Sequence, residues 1–114
     1  MGSFESVESL KTGSVDVGDR VLFWRNERGS DAKLAAAWLS TTPADAPTGS
    51  GVLAEVQIDG QMVRRFRLHT GSAQDSSGDI DAVVPPGGVV TVDILEVGSQ
   101  SPGCNLRANL TILW

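Results

Sequence analysis

The stretch Val89–Trp114, "VVTVDILEVGSQSPGCNLRANLTILW", decides the fold. In its first half Val90, Val92 and Ile94 alternate with Thr91, Asp93 and Leu95. In its second half Leu106, Ala108, Leu110, Ile112 and Trp114 alternate with Asn105, Arg107, Asn109 and Thr111. Strict alternation is the signature of a strand with one apolar and one wet face, and such strands belong to antiparallel sheets. Between the halves, Gly98 to Gly103 carries glycine, serine and proline and reads as a connector.

Outward from there the same pattern recurs. Ile80, Ala82 and Val84 stand in phase before a tight Pro85–Gly88 turn. "GVLAEVQIDGQMVRRFRLH", residues 51–69, reads as a hairpin. A three-residue loop Ile58-Asp59-Gly60 would pair Val56 with Met62 and Val52 with Phe66, setting Met62, Phe66 and Leu68 on the core side and Arg64 opposite Ala54. "KLAAAWLSTT", residues 33–42, is short for a helix and is followed by Pro43; it reads as a strand with Leu34, Ala36 and Trp38 on one face. Arg20–Arg25 is another short run, preceded by an alternating Val15 and Val17. Residues 1–14 are polar and acidic and read as an N-terminal arm, with residues 15–114 as one domain. The expectation is an all-β protein, an antiparallel β-sandwich of jelly-roll type with seven or eight strands.

Composition narrows the function. The chain has 114 residues, enough for one core. A net charge of −5 makes nucleic acid and anionic membranes poor partners. No apolar run approaches the roughly 18 residues of a membrane span. The start "MGSFESVESLKTG" lacks the basic and apolar regions of a signal peptide, so synthesis in a cytoplasm without classical export is expected. The single cysteine, Cys104, forbids an intrachain disulfide and has no basic partner nearby to activate it.

No catalytic constellation emerges, and no enzyme or cofactor is expected. His69 is the only histidine and has no nucleophile beside it in sequence. One His and one Cys cannot make a conventional zinc site. Asp75, Asp79 and Asp81 lack the spacing of a calcium loop; a solvated acidic loop is the default, and an irregular calcium site is the alternative. Asp93 and Glu96 are carboxylates near each other, but a polar strand face and a strand end explain them. Arg64, Arg65, Arg67 and His69 form a basic patch, read either as a solvated face or as a contact for an acidic partner. Trp24 is open between core and exposed sugar platform, whereas Trp38 is expected in the core.

The order Ala46-Pro47-Thr48-Gly49, strand, Asp59-Gly60, strand with Phe66, Pro86-Gly87-Gly88, "VTVDILEVGS", Pro102-Gly103 and a closing strand from Leu106 resembles the small β-sandwich module of tailed-bacteriophage virion proteins. The likeness covers roughly residues 35–114. Asp59 stands where that family usually has Asn, Glu96 where it has Gln, and Cys104-Asn105 where Ser-Asp is common. The resemblance implies assembly rather than turnover: a capsid decoration (cement) protein on the outside of the major capsid protein shell, for which a homo-trimer is one arrangement it suggests, or else a minor tail or tail-accessory adhesion subunit. The virion is the location it implies. A carbohydrate-binding module using Trp24 and binding a host glycan is the alternative from another class. Partner contacts are expected at Phe4 and Val7 in the arm, at Arg64, Arg65 and Arg67, and at Trp24.

Overall fold

The computed structural model describes residues 3–114. It is a sandwich of two antiparallel sheets of jelly-roll type. In chain order the strands are β1 (Phe4–Ser14), β2 (Arg20–Arg25), β3 (Ala32–Ser40), β4 (Val52–Ile58), β5 (Gln61–Leu68), β6 (Gln74–Ser76), β7 (Ala82–Val84), β8 (Val89–Glu96) and β9 (Cys104–Leu113), with one 3-10 turn at Pro43–Asp45. The first sheet runs β1-β9-β3, and β3 then pairs with β6 along one half and β7 along the other; the second runs β2-β8-β4-β5.

The two runs of the opening stretch behave as their alternation requires. Val90, Val92 and Ile94 are buried, as are Leu106, Ala108, Leu110 and Ile112, each 0–1% exposed. They face each other across the core with Leu22, Leu34, Leu39, Val52, Ala54, Val56, Phe66, Leu68 and Val84. Because aromatics are few, close packing between the sheets falls to branched aliphatic side chains.

Three expectations are corrected. First, the polar arm is β1. It pairs antiparallel with β9 in regular register from Phe4↔Leu113 to Lys11↔Leu106. Its composition hid this because it lies at a sheet edge, where only Val7 packs against the core. Residues 1 and 2 lie outside the described residues. Second, the β4–β5 loop is two residues, not three. Asp59 (φ 51°) and Gly60 (φ 82°) both take positive φ, as a type I′ turn demands. Val63 is then bulged out of the ladder, so Val56 faces Arg64, Ala54 faces Phe66 and Val52 faces Leu68. Met62 falls opposite Gln57 on the outer face and is 52% exposed. Third, a bulge at Ala35 shifts β3: Leu34 pairs with Ile112, but Ala37 and Leu39 face the core beyond it. Ala36 and Trp38 turn to the outer face. Val15 is buried in a loop rather than a strand, and β6 is a short strand where a plain loop was expected.

Asn26 ties four segments together. It is fully buried at the end of β2. Its Nδ2 donates to the carbonyls of Ser30 (2.9 Å) and Val84 (3.0 Å), and its Oδ1 accepts from Arg28 N–H (3.0 Å). Its backbone donates to Gly88 C=O and accepts from Gly87 N–H. A single amide side chain thus closes its own turn and locks it to β7 and to the Pro85–Gly88 turn.

Candidate functional site

The structure divides the expected contact residues among three places. Arg65 and Arg67 lie on the outer face of the second sheet, each already engaged. Arg65 Nε donates to Glu55 (3.3 Å) and Arg67 Nη2 to Glu96 (3.1 Å). Across the same face Arg20 grips Asp93 with two bonds, 2.9 and 3.2 Å. That carboxylate holds the Arg20 guanidinium above its ordinary pKa, through the hydrogen bond first and its charge second. Glu55 and Asp93 are directly opposite neighbours, so the row reads Arg20–Asp93–Glu55–Arg65. Two adjacent carboxylates, each neutralised by its own arginine, form a charge-balanced lattice rather than an acid–base pair. Asp93 and Glu96 likewise have separate arginine partners. Arg64 sits at the sandwich rim, where its Nη2 donates to the Asp79 carbonyl (2.8 Å).

His69 and the acidic loop are structural neighbours. Asp75 accepts from the His69 backbone N–H (2.8 Å) and lies 3.2 Å from its Nδ1. Burial pushes the Asp75 carboxyl up, but hydrogen bonds from His69 and Ser72 and the His69 charge together outweigh it and hold the group below the usual carboxylate range. Asp81 pairs with Lys33 (3.1 Å). Among the described residues no group of three or more His, Cys, Asp or Glu is placed to hold a metal ion.

Trp24 lies at one end of the sandwich. Its ring meets Trp114 edge-on, centroids 6.1 Å apart, so the two sheets close that end of the core with one tryptophan each. Arg28 stacks over the Trp114 ring at 3.9 Å. Glu5, Trp24, Arg25, Glu27, Arg28 and Trp114 line a shallow cleft of about 290 Å³ there. The face of Trp114 is covered by the guanidinium, and Trp24 packs against the core, so neither ring is a bare platform. Trp38, expected inside, is half-buried on the outer face of the first sheet, opposite Asn109.

Of the third place, only Phe4 was legible in the sequence. Phe4 pairs with Leu113, Leu113 with Lys33, and Lys33 with Val83. The four residues come from β1, β9, β3 and β7 and form one row across the outer face of the first sheet. Phe4 is 73% exposed, Val83 55% and Leu113 40%. Three large apolar side chains in one cross-strand row, flanked by hollows of about 330 and 350 Å³, mark a contact surface. The signal available in sequence was weak: each residue breaks the alternation of a different strand.

No protein-family model matches the chain, and no curated protein matches it in sequence. Solved structures do resemble it. The infectious bursal disease virus VP2 subviral particle superposes with TM-score 0.50 at 9% identity, over 98% of this chain and 32% of that one. A family 35 carbohydrate-binding module from Clostridium thermocellum gives 0.51 at 13% identity, over 97% and 90%. The CBM36-1 domain of a multidomain xylanase, from the hindgut metagenome of Trinervitermes trinervoides, gives 0.51 at 11%, over 96% and 94%. The chain therefore spans about a third of the viral protein and most of each carbohydrate-binding module. At these identities the likeness concerns the fold alone.

Proposed function

We propose that the chain is a virion structural protein that works by contact, a decoration (cement) module on the outer surface of a bacteriophage capsid shell. The observation that carries this reading is the cross-strand row Phe4–Leu113–Lys33–Val83 on the outer face of the first sheet, three of whose four side chains are exposed and apolar. Such a row suits docking onto a flat protein surface better than enclosing a small molecule. The likeness of the fold to a viral capsid protein is compatible with it. A tail-accessory subunit would use the same surface on a different partner. The test is co-sedimentation with purified undecorated capsids. Stoichiometric binding that Leu113→Glu and Val83→Glu abolish is expected; capsids that bind no protein at all would refute the reading.

A second reading, a carbohydrate-binding module, is favoured by the Trp24–Trp114 cleft with its two arginines and two glutamates. It requires Arg28 to leave the Trp114 face or to bond the sugar itself. Glycan binding that Arg28→Ala and Trp24→Ala both change, with capsids ignored, would establish it in place of the first.

A further inference from the structure

β1 is the outermost strand of the first sheet, and among the described residues no strand pairs with its free side. Trp114 N–H donates to Ser3 C=O (2.9 Å), which fixes the phase of the β1–β9 ladder. In an antiparallel ladder, hydrogen-bonded pairs recur at every second residue. Odd-numbered residues of β1 therefore turn their N–H and C=O toward β9. Phe4, Ser6, Glu8 and Leu10 turn theirs outward, over a segment free of bulges and of proline. Within it the charged residues are Glu5 and Glu8, and the irregularity that would block pairing lies beyond it, between Lys11 and Ser14.

We infer that this edge binds a second copy of the chain, antiparallel, with the two-fold axis at Val7. The phase of the free groups requires even-numbered residues to face even-numbered ones, which leaves a short set of registers. Centred on Ser6, Phe4 would meet Glu8. Centred on Glu8, two Glu8 side chains would collide in charge. Centred on Ser9, Glu8 would meet Leu10. Centred on Val7, Phe4 meets Leu10 of the second copy and Leu10 meets its Phe4, while Ser6 meets Glu8 and Glu5 meets Ser9. This register alone pairs the two exposed apolar residues of the strand, 73% and 48% exposed, and sets every charge opposite a serine. Glu8 is already neutralised by Arg107 on its own protomer (3.2 Å), so the diagonal approach of the two Glu8 residues is tolerated. The isologous pairing merges the two first sheets into one, and the row Val83–Leu113–Phe4 continues onto Leu10 of the second copy.

The test is sedimentation equilibrium, with far-UV circular dichroism to verify folding. A reversible dimer is expected. Phe4→Lys and Leu10→Glu, each on an exposed site, should weaken it about tenfold or more, since symmetry counts each cross-strand pair twice. The double variant Phe4→Lys/Leu10→Glu should restore it, because lysine then faces glutamate twice. Ser6→Pro removes only an outward N–H and should abolish the dimer while leaving the fold intact. In a Cys104→Ser background, Val7→Cys should cross-link to itself under mild oxidation. A chain that stays monomeric at high micromolar concentration overturns the inference and leaves the edge to a foreign strand. A dimer that Ser6→Pro leaves unchanged, or that the double variant fails to restore, overturns it equally.

Discussion

Removing the Asn26 side chain should cost far more than a turn residue usually does. Its three side-chain hydrogen bonds, at 2.9, 3.0 and 3.0 Å, are made by a residue with no exposure, and the one to Val84 C=O is itself buried. At about 1 kcal/mol net for each bond, Asn26→Ala should lose about 3 kcal/mol. For a chain of 114 residues this lowers the melting temperature by about 12 °C. Asn26→Asp is the sharper perturbation. It keeps the volume and the acceptor for Arg28 N–H, but it points a second acceptor at the carbonyls of Ser30 and Val84. Burial and that repulsion favour the protonated acid, so the variant carboxyl titrates above the usual range when folded. A folded-state pKa raised in this way imposes its full penalty above that pKa and relieves it as pH falls. Asn26→Asp should therefore be the less stable variant at neutral pH and recover relative to Asn26→Ala in acid. Urea unfolding followed by tryptophan emission gives both numbers. An alanine cost under about 1 kcal/mol, or an aspartate variant as stable as the wild type, would refute the account of the residue.

Three further outcomes follow from the packing and the bonds. Deleting Val63 removes the bulge and leaves a regular ladder, with Met62 still opposite Gln57, Arg64 opposite Val56 and Phe66 opposite Ala54; the variant should remain folded by circular dichroism, and loss of the fold would refute the bulged register. Leu110, fully buried at the middle of β9, should lose about 2–5 kcal/mol on change to alanine, while its half-buried outer neighbour Thr111 should lose under about 0.5 kcal/mol, both read from urea midpoints. Asp75 has a folded-state pKa held below its unfolded value, so its stabilisation is present above the unfolded pKa and disappears as pH falls through the folded one. Asp75→Asn should thus lower stability near neutrality, and the gap to the wild type should close in acid.

What the sequence revealed depended on whether a strand keeps its phase. β8 and β9 never slip at their core positions from Val90 to Ile94 and from Leu106 to Ile112, and their faces could be read directly. β3 and β5 each contain one bulged residue, Ala35 and Val63, and each inverts the faces of everything on one side of it. No composition rule distinguishes a bulged valine or alanine from a paired one, so Trp38 and Met62 were assigned to the wrong face. β1 failed for a different reason. An edge strand that buries little needs no apolar alternation, and its existence is decided by β9 rather than by its own residues. The contact row has the same origin: Phe4, Leu113, Lys33 and Val83 become neighbours only through three pairings. The arginines were legible as a cluster, but their partners Glu55, Glu96 and the Asp79 carbonyl come from three other segments.

The position of β9 between β1 and β3 imposes an order of assembly. During vectorial synthesis β2, β4, β5 and β8 are all complete at Glu96, and the second sheet can zip while β9 is still to be made. β3 can pair with β6 and β7 on one side by then, but its other side, and β1 altogether, must wait for β9. Until β9 is made, β1 has no partner and β3 keeps one open side. Such species are exposed to wrong pairing with neighbouring chains. The final strand is thus a keystone, and the rate at which it arrives sets how long the growing protein remains sticky.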